Sequence, residues 1–231
     1  MTHRPAVVFD IGGTLLDSTG TVQAECHAVL SPVLGTTAAA EFAAAWQHRV
    51  EARTAEIVAG QAPWAPSERL QHEGLAGLLP RYDLEVGGVQ YEALNGAGSR
   101  SQAFPDAAAG LASLAEHAQV IGLTNTDLAA SSASCAGTGL RWHALLSTDS
   151  ERTLKPRPEA YLQPERRLGI NPARSWFVAA HPWDLRGAAE TGYRSVYLPR
   201  PHADGPEPED DFDATVASLE ELLALVTGGA A

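Results

Sequence analysis

The stretch that decides the fold is Ala6-Val-Val-Phe-Asp10-Ile-Gly-Gly-Thr14, near the start of a chain of 231 residues. Four apolar residues run up to Asp10, and two glycines follow within three positions. A short, continuous apolar run with turn residues after it is typical of a strand buried on both faces of a parallel sheet. The stretch therefore predicts a buried strand whose carboxyl end presents a carboxylate.

Strand-like and helix-like segments alternate beyond residue 100. Strands are predicted over 119–124, 144–147, 176–180 and 195–198, with helical segments between them, among them helices over 158–168 and 184–191. This alternation indicates an α/β fold with a doubly wound parallel sheet. From about residue 20 to 95 the apolar spacing is helical instead, as at Phe42, Trp46 and Val50. We therefore expect an α/β core over 1–17 and 97–231, with a helical cap inserted over 18–96.

The composition excludes several classes of partner. The 28 acidic residues outnumber the 16 basic ones and give a net charge of -12. Such a surface repels phosphate backbones and anionic lipids, so no nucleic acid and no membrane is expected as a partner. No apolar run reaches the roughly 18 residues of a membrane helix, and no signal-peptide pattern opens the sequence. Cys26 and Cys135 form neither a disulfide framework nor a zinc spacing, so we expect a cytoplasmic protein.

Candidate site residues follow the predicted strands. Asp10, Thr124, Asn125 and Asp184 lie at or just beyond strand ends, and Lys155 lies in the loop after the strand at 144–147. Ligands of doubly wound sheets bind at the carboxyl ends of the strands, near the point where the strand order reverses. We therefore expect a carboxylate nucleophile, hydrogen-bond donors, a lysine and a second carboxylate to converge there.

Four motifs, in order along the chain, resemble those of the haloacid dehalogenase superfamily. They are Phe9-Asp10-Ile-Gly-Gly-Thr14-Leu-Leu-Asp17, Leu123-Thr124-Asn125-Thr126, Lys155-Pro-Arg-Pro-Glu-Ala-Tyr161 and Val178-Ala-Ala-His-Pro-Trp183-Asp184. The form of the third motif, the Trp183-Asp184 pair and Trp46 in a cap helix make the L-2-haloacid dehalogenase branch the closer match. The resemblance implies a hydrolase with a Rossmann-like core and a small helical cap.

The resemblance also implies a two-step mechanism through Asp10. A carboxylate oxygen of Asp10 would displace the leaving group from the α-carbon of a small anionic organic acid, and water would then hydrolyse the aspartyl ester. Lys155 would keep Asp10 ionised, since an opposite charge within ~4–6 Å lowers a carboxylate pKa by about 1–3 units. Thr14 and Asn125 would donate hydrogen bonds to Asp10 or to the developing oxyanion. Asp184 would position or activate the water.

A second group of residues is expected on the substrate side of the site. Thr124 and nearby backbone amides would hold the substrate carboxylate, and His181 would assist with the water. Packing is an alternative role for Trp46, Tyr161 and Trp183. The expected substrate-binding set comprises Gly12, Trp46, Gln47, Thr124, Tyr161, His181 and Trp183.

The chain departs from the superfamily pattern at informative positions. Phosphatases carry an Asp acid–base where Gly12 stands, and a magnesium-binding Asp where Ala180 stands. Glycine has no proton to transfer, and magnesium binds through carboxylates. We therefore expect no metal and no cofactor, with Mg²⁺ needed only by a phosphatase. Relative to the dehalogenase branch, Gln47 replaces an Arg that receives halide, and His181 replaces an Asn, so the leaving-group end of the site is altered.

Three alternatives stay open. The same Asp10 ester chemistry could act on a non-halide leaving group, such as the oxygen of a strained ring. A phosphatase with residual metal binding is the second, and a non-catalytic protein that binds small acids is the third. The cap side chains decide the substrate, and the apolar surface of the cap is compatible with a homodimer.

Overall fold

The computed structural model describes residues 4–228, and its central feature is a six-stranded parallel sheet. The strand order is β5 (Ala144–Ser147), β4 (Gln119–Thr124), β1 (Ala6–Phe9), β6 (Ser175–Ala179), β7 (Arg194–Tyr197) and β8 (Ala214–Thr215). Strand β1 pairs in parallel with both β4 and β6, so the sheet extends from β1 in both directions. The predicted doubly wound α/β fold is confirmed, and the strand order reverses at the carboxyl end of β1.

The first strand is buried on both faces because all four of its residues are apolar. Val7 and Phe9 belong to one apolar cluster, and Ala6 and Val8 belong to another. Successive side chains of a strand point to opposite faces, so this short run joins two layers of the core. The helices outside the cap are α5 (Ala107–Ala115), α6 (Leu128–Gly137), α7 (Pro158–Tyr161), α8 (Gln163–Leu168), α9 (Pro182–Glu190) and α10 (Leu219–Gly228).

The helical cap consists of four helices that lie between β1 and β4 in the sequence and share an apolar cluster of their own. They are α1 (Ser18–Leu34), α2 (Thr36–Val58), α3 (Ser67–Leu78) and α4 (Gly88–Asn95). Their cluster contains the buried side chains of Cys26, Leu30, Phe42, Trp46 and Leu75. Apolar residues at helical spacing give each helix one face to pack against the others. Within residues 4–228 no helix is long and apolar enough to cross a membrane.

Two short strands stand where the chain enters and leaves these four helices. Strand β2 (Leu16–Asp17) pairs antiparallel with β3 (Gln102–Ala103). Two-residue strands are too short to show a period of two, so the sequence did not predict them. The Asp17 carboxylate then accepts the backbone N–H of Gly20 at 2.9 Å and caps the first turn of α1.

The structure corrects two helix predictions in the core. The helix predicted over 158–168 is divided into α7 and α8, and Pro164 lies in the first turn of α8, where its missing N–H has no helical partner to lose. The helix predicted to start at Asp184 begins at Pro182 instead. Proline suits that first position because its fixed φ is already helical. Asp184 therefore lies within the first turn of α9.

Candidate active site

Asp10 lies directly after β1 and is 5% exposed. Its Oδ2 accepts the hydroxyl of Thr14 at 2.7 Å, and the same hydroxyl oxygen accepts the backbone N–H of Ala180 at 2.9 Å. Gly13 has a φ of +78°, a left-handed conformation that glycine adopts without a steric penalty, and this turn lets Thr14 reach back to Asp10. The Asp10 carboxylate is therefore fixed from the β1 loop and, through Thr14, from the end of β6.

Lys155 is the cation between two buried carboxylates. Its Nζ donates to Oδ1 of Asp10 at 2.6 Å, to Oδ2 of Asp184 at 2.6 Å and to the carbonyl oxygen of Leu123 at 3.3 Å. A buried charge is very costly unless it is paired and hydrogen-bonded. Here one ammonium group serves two carboxylates, so the two acids compete for one positive charge.

This competition moves the two carboxyl pKa values in opposite directions. Burial raises the pKa of Asp10, but the charges of Lys155 and His181 and the hydrogen bonds outweigh burial and hold it below its ordinary value of 3.8. For Asp184, burial and the Asp10 charge together outweigh Lys155 and raise the pKa above 3.8. Burial lowers the pKa of Lys155, yet the two carboxylates raise it overall. Asp10 is therefore the ionised acid, which is the state that a nucleophile requires.

Asp184 is fully enclosed in the first turn of α9. Its Oδ1 accepts the hydroxyl of Tyr161 at 2.6 Å, while its Oδ2 accepts Lys155. Gly187 leaves the room that Tyr161 needs, because a Cβ there would lie 2.7 Å from the Tyr161 hydroxyl oxygen. Both oxygens of Asp184 are thus bonded to protein groups, and its side chain has no exposed surface. In this arrangement Asp184 holds Lys155 in place.

Asn125 supports Lys155 from the backbone side. Its Oδ1 accepts the backbone N–H of Lys155 at 2.8 Å and the hydroxyl of Thr148 at 3.1 Å, and its Nδ2 donates to the carbonyl oxygen of Lys155 at 3.3 Å. The sequence led us to expect a bond from Asn125 to Asp10 or to an oxyanion. In the structure the amide bonds to the Lys155 backbone instead of to Asp10, because the loop after β5 returns alongside the end of β4.

His181 lies next to Asp10, and its side chain is partly exposed. Its Nε2 is 3.2 Å from the carbonyl oxygen of Gly12 and 4.0 Å from Oδ2 of Asp10, and 21% of its side chain is exposed. A carbonyl oxygen can only accept, so this contact requires a proton on Nε2. The imidazole stacks on the ring of Trp183 at 5.8 Å between centroids. It fits only because Gly13 has no side chain, since a Cβ there would lie 2.4 Å from Nε2.

A cleft of about 700 Å³ opens beside Asp10, with residues of the core on one side and of the cap on the other. Gly12 and Thr124 line the core side, and Trp46 and Gln47 of α2 line the cap side. Gln47 is exposed, whereas Trp46 is 2% exposed and donates its Nε1–H to the carbonyl oxygen of Gln71 at 3.0 Å. Trp46 therefore both packs the cap and forms part of the cleft wall.

The charged side chains that line this cleft are all acidic: Glu51, Glu68, Glu92 and Asp127. Within residues 4–228, no Lys, Arg or His lines it. The Lys155 ammonium lies behind Asp10 and is 1% exposed. A carboxylate in this cleft would therefore have to bind to neutral donors, such as the Thr124 hydroxyl or backbone N–H groups.

Two arginines that the sequence did not predict donate hydrogen bonds to backbone carbonyl oxygens around the site. The Nε of Arg200 donates to the carbonyl oxygen of Thr14 at 2.9 Å, and its guanidinium lies 4.7 Å from the ring centre of Phe104. The Nε of Arg157 donates to the carbonyl oxygen of Val58, at the end of α2, at 3.0 Å. These bonds join residues 186 and 99 positions apart, so no local pattern signals them.

The residues at the position of a phosphatase magnesium site do not fit a metal ion. Gly12 and Ala180 supply no carboxylate, and the two remaining acids, Asp10 and Asp184, are bridged by Lys155. The part of the chain that the structure describes holds no group of three or more His, Cys, Asp or Glu side chains that could bind a metal. Hard cations prefer several oxygen ligands, and this donor set offers an ammonium group in their place.

Known proteins share both the sequence pattern and the fold. The family described as haloacid dehalogenase-like hydrolase matches residues 5–192. (S)-2-haloacid dehalogenase 4A of Burkholderia cepacia is 30% identical over 227 residues, which cover 96% of this chain and 94% of that protein. The crystal structure of the L-2-haloacid dehalogenase PA0810 superposes with a TM-score of 0.87 at 26% identity, covering 97% of this chain and 99% of the other.

A further solved structure is that of L-2-haloacid dehalogenase from Xanthobacter autotrophicus with chloropropionic acid covalently bound. It has a TM-score of 0.80 and 25% identity, with 98% of this chain and 100% of the other covered. The fold and the buried acid–lysine–acid group thus define a Rossmann-like hydrolase with a helical cap. Within that class the chain belongs to the haloacid dehalogenase-like hydrolase family, as its four motifs predicted.

Proposed function

We propose that this hydrolase displaces a substituent from carbon 2 of a small carboxylic acid through an ester on Asp10. The observation that carries the proposal is the ionised Asp10 carboxylate, held at 2.6 Å by Lys155, at the end of β1 and next to the cleft. The relative from Xanthobacter autotrophicus, with its covalently bound chloropropionic acid, supports the covalent route.

In the first step, an oxygen of Asp10 forms a bond to carbon 2 while the bond to the leaving group breaks. The leaving group departs with the bonding electron pair, and Asp10 becomes a neutral ester. Splitting one displacement into two steps in this way lowers the barrier of each. Thr14 and Lys155 hold the carboxylate at 2.7 and 2.6 Å and so fix the direction of attack.

In the second step, water attacks the carbonyl carbon of the Asp10 ester. The bond between that carbon and the ester oxygen breaks, and the departing oxygen takes one proton of the water to give a 2-hydroxy acid. The other proton passes to solvent, and the carboxylate is regenerated. Negative charge develops on the Asp10 oxygens in this step, and the Lys155 ammonium and the Thr14 hydroxyl already point at them. Donors placed before the charge develops stabilise it without reorganisation.

The proposal includes neither a metal nor a cofactor, because the donors around Asp10 do not suit one. Thr124 and backbone N–H groups would bind the substrate carboxylate, and Gln47 would face the leaving group from α2. The small-acid partner, the cytoplasmic location and the homodimer remain predictions from the sequence.

The decisive experiment is a single turnover in heavy-oxygen water with L-2-chloropropionate. We expect the label in the carboxylate of Asp10 when the digested protein is analysed by mass spectrometry. Asp10→Asn should abolish chloride release, while Asp211→Asn, at an exposed acid that does not line the cleft, should retain it.

Two outcomes would overturn the proposal. One is chloride release without label in Asp10, which would mean that water attacks the substrate directly. The other is no turnover of any 2-substituted acid together with magnesium-dependent hydrolysis of p-nitrophenyl phosphate that Asp10→Asn abolishes. That second result would favour the phosphatase alternative.

A further inference from the structure

A second cavity lies at the amino-terminal edge of the sheet, opposite the edge that carries Asp10. Its volume is about 530 Å³, within the range of roughly 300–1,000 Å³ that small-molecule sites occupy. Its lining includes the first residues of four neighbouring strands: Ala6 of β1, Gln119 of β4, Ser175 of β6 and Arg194 of β7. Strand β1 has four residues and a strand rises ~3.3 Å per residue, so Asp10 lies about 13 Å from Ala6. The second cavity is therefore separate from the active-site cleft.

The charged side chains that line this second cavity are all basic: Arg4, Arg174 and Arg194. Within residues 4–228 no Asp or Glu lines it, although the chain has a net charge of -12. Like charges repel, so three guanidinium groups around one cavity oppose one another unless an anion lies between them. The cleft beside Asp10 has the opposite character, since its charged side chains are acidic.

These three arginines also lack partners in the protein. Other arginines, such as Arg166 and Arg186, form ion pairs with acids. In the described part of the chain, Arg4, Arg174 and Arg194 neither form an ion pair nor donate a hydrogen bond to a protein group. An arginine has five N–H donors and remains charged in proteins. The second cavity therefore holds positive charge and hydrogen-bond donors that the protein itself does not use.

Arg194 is held at the cavity by an aromatic ring. It pairs across the sheet with Trp176, and its guanidinium carbon lies 3.6 Å from the centre of that ring. Its Nε is buried and has no hydrogen-bond partner within residues 4–228. An aromatic face attracts a guanidinium group without accepting its in-plane N–H groups. Arg194 is therefore fixed in position while its terminal N–H groups stay unpaired.

We propose that this second cavity binds a small, multiply charged anion that carries two or more phosphate or carboxylate groups. The N–H groups of arginine form a rigid fork that matches either kind of group with two parallel hydrogen bonds. Three such forks offer more donors than one singly charged group can accept. An anion with several charged groups would bond to more than one arginine and would remove the repulsion between them.

Isothermal titration calorimetry at constant ionic strength tests the proposal with citrate, tripolyphosphate and acetate. We expect citrate, tripolyphosphate or both to bind once per chain, at least about tenfold more tightly than acetate, because they reach more than one arginine. Binding of only one of the two multiply charged anions supports the proposal and identifies the group, carboxylate or phosphate, that the arginines recognise.

Two variants place the anion in the cavity. Arg174→Gln and Arg194→Gln should each weaken its binding by about tenfold or more, since each removes charge-assisted hydrogen bonds. The Arg174 side chain is exposed, so its replacement leaves the core intact. Arg81→Gln is the matched control, because Arg81 is an exposed arginine of the cap that does not line the cavity. Its replacement should leave the affinity unchanged.

Three results would overturn the proposal. The first is equal affinity for acetate and for the multiply charged anions. The second is no binding of citrate or tripolyphosphate at concentrations on the order of 1 mM. The third is equal weakening by Arg81→Gln and by the two cavity variants, because the anion would then respond to the charge of the whole chain and not to the three arginines.

Discussion

The Nζ of Lys155 lies 2.6 Å from Oδ1 of Asp10, and the same ammonium group is also bonded to Asp184. The three groups come from the loop after β5, the end of β1 and the first turn of α9. They meet because parallel strands end at one edge of the sheet. The relationship makes Lys155 both a positioning group for the nucleophile and the counter-ion of a buried acid.

Replacement of this lysine should therefore affect folding as well as chemistry. Lys155→Met keeps an apolar stem of similar length but leaves two buried carboxylates without a cation. Breaking a buried ion pair from one side costs about 3–5 kcal/mol in the free energy of unfolding, and we expect a loss of that size by urea denaturation, with activity abolished. Arg69→Met, which breaks the exposed pair with Glu73, should cost at most ~1 kcal/mol. Equal losses in the two variants would contradict the role given to Lys155.

The lowered pKa of Asp10 predicts how far the pH can fall before the rate of the first step decreases. A carboxyl group whose pKa is lowered below 3.8 remains ionised at all higher pH values and is protonated only below its own pKa. We expect single-turnover bromide release from L-2-bromopropionate to keep its rate from neutral pH down to about pH 4. Circular dichroism at each pH would establish that the fold persists. A midpoint well above 3.8 that remains in Asp184→Asn would contradict the direction assigned to Asp10, since the pKa of Asp184 is itself raised above 3.8.

Two buried tyrosines offer a matched test of the Asp184 network. Tyr161→Phe removes the donor to Oδ1 of Asp184, and a buried acceptor left unsatisfied costs about 1–3 kcal/mol. Tyr193 is also buried, but its hydroxyl has no hydrogen-bond partner in the described structure. We expect Tyr193→Phe to be neutral or slightly stabilising in thermal unfolding, and Tyr161→Phe to be clearly destabilised. The reverse order would show that the Tyr161 hydroxyl does not support Asp184.

Arg157 gives a prediction about the cap. Its guanidinium donates to the carbonyl oxygens of Ile57 and Val58 in the last turn of α2, where the helix itself leaves carbonyl groups without N–H partners four residues on. Arg157→Met should loosen that end of α2, raise KM more than it lowers kcat, and speed hydrogen exchange there. Arg53→Met, in the same helix and paired only with exposed Glu56, is the control and should change neither. Unchanged exchange in Arg157→Met would show that these bonds do not hold the helix.

The strand ends could be predicted from the sequence because their signals are local. Asp10, Thr124 and Asp184 each follow an apolar run, and parallel topology alone brings such positions to one edge of the sheet. The partners of each residue could not be predicted in the same way. Asn125 was expected near Asp10, but its place on the Lys155 backbone depends on how two loops cross, which no periodicity encodes.

Contacts between residues far apart in the chain could not be predicted from the sequence for the same reason. Arg200 follows a strand and precedes a loop rich in proline and acid, where an arginine is ordinarily solvated. Only the folded chain shows its bond to the Thr14 carbonyl and its contact with Phe104. The short strands β2 and β3 were missed because two residues are too few to show a repeated alternation.

The loop that carries Lys155 also packs against the helical insertion. Leu154 packs with Ile57, Ala65 and Leu70, and three residues further on Arg157 bonds to the end of α2. A foreign insertion grafted at residues 17 and 102 would leave Leu154 and Arg157 without their packing and hydrogen-bond partners. Both residues flank Lys155, which positions Asp10. An exchange of the insertion would therefore require the 154–157 loop to be exchanged with it.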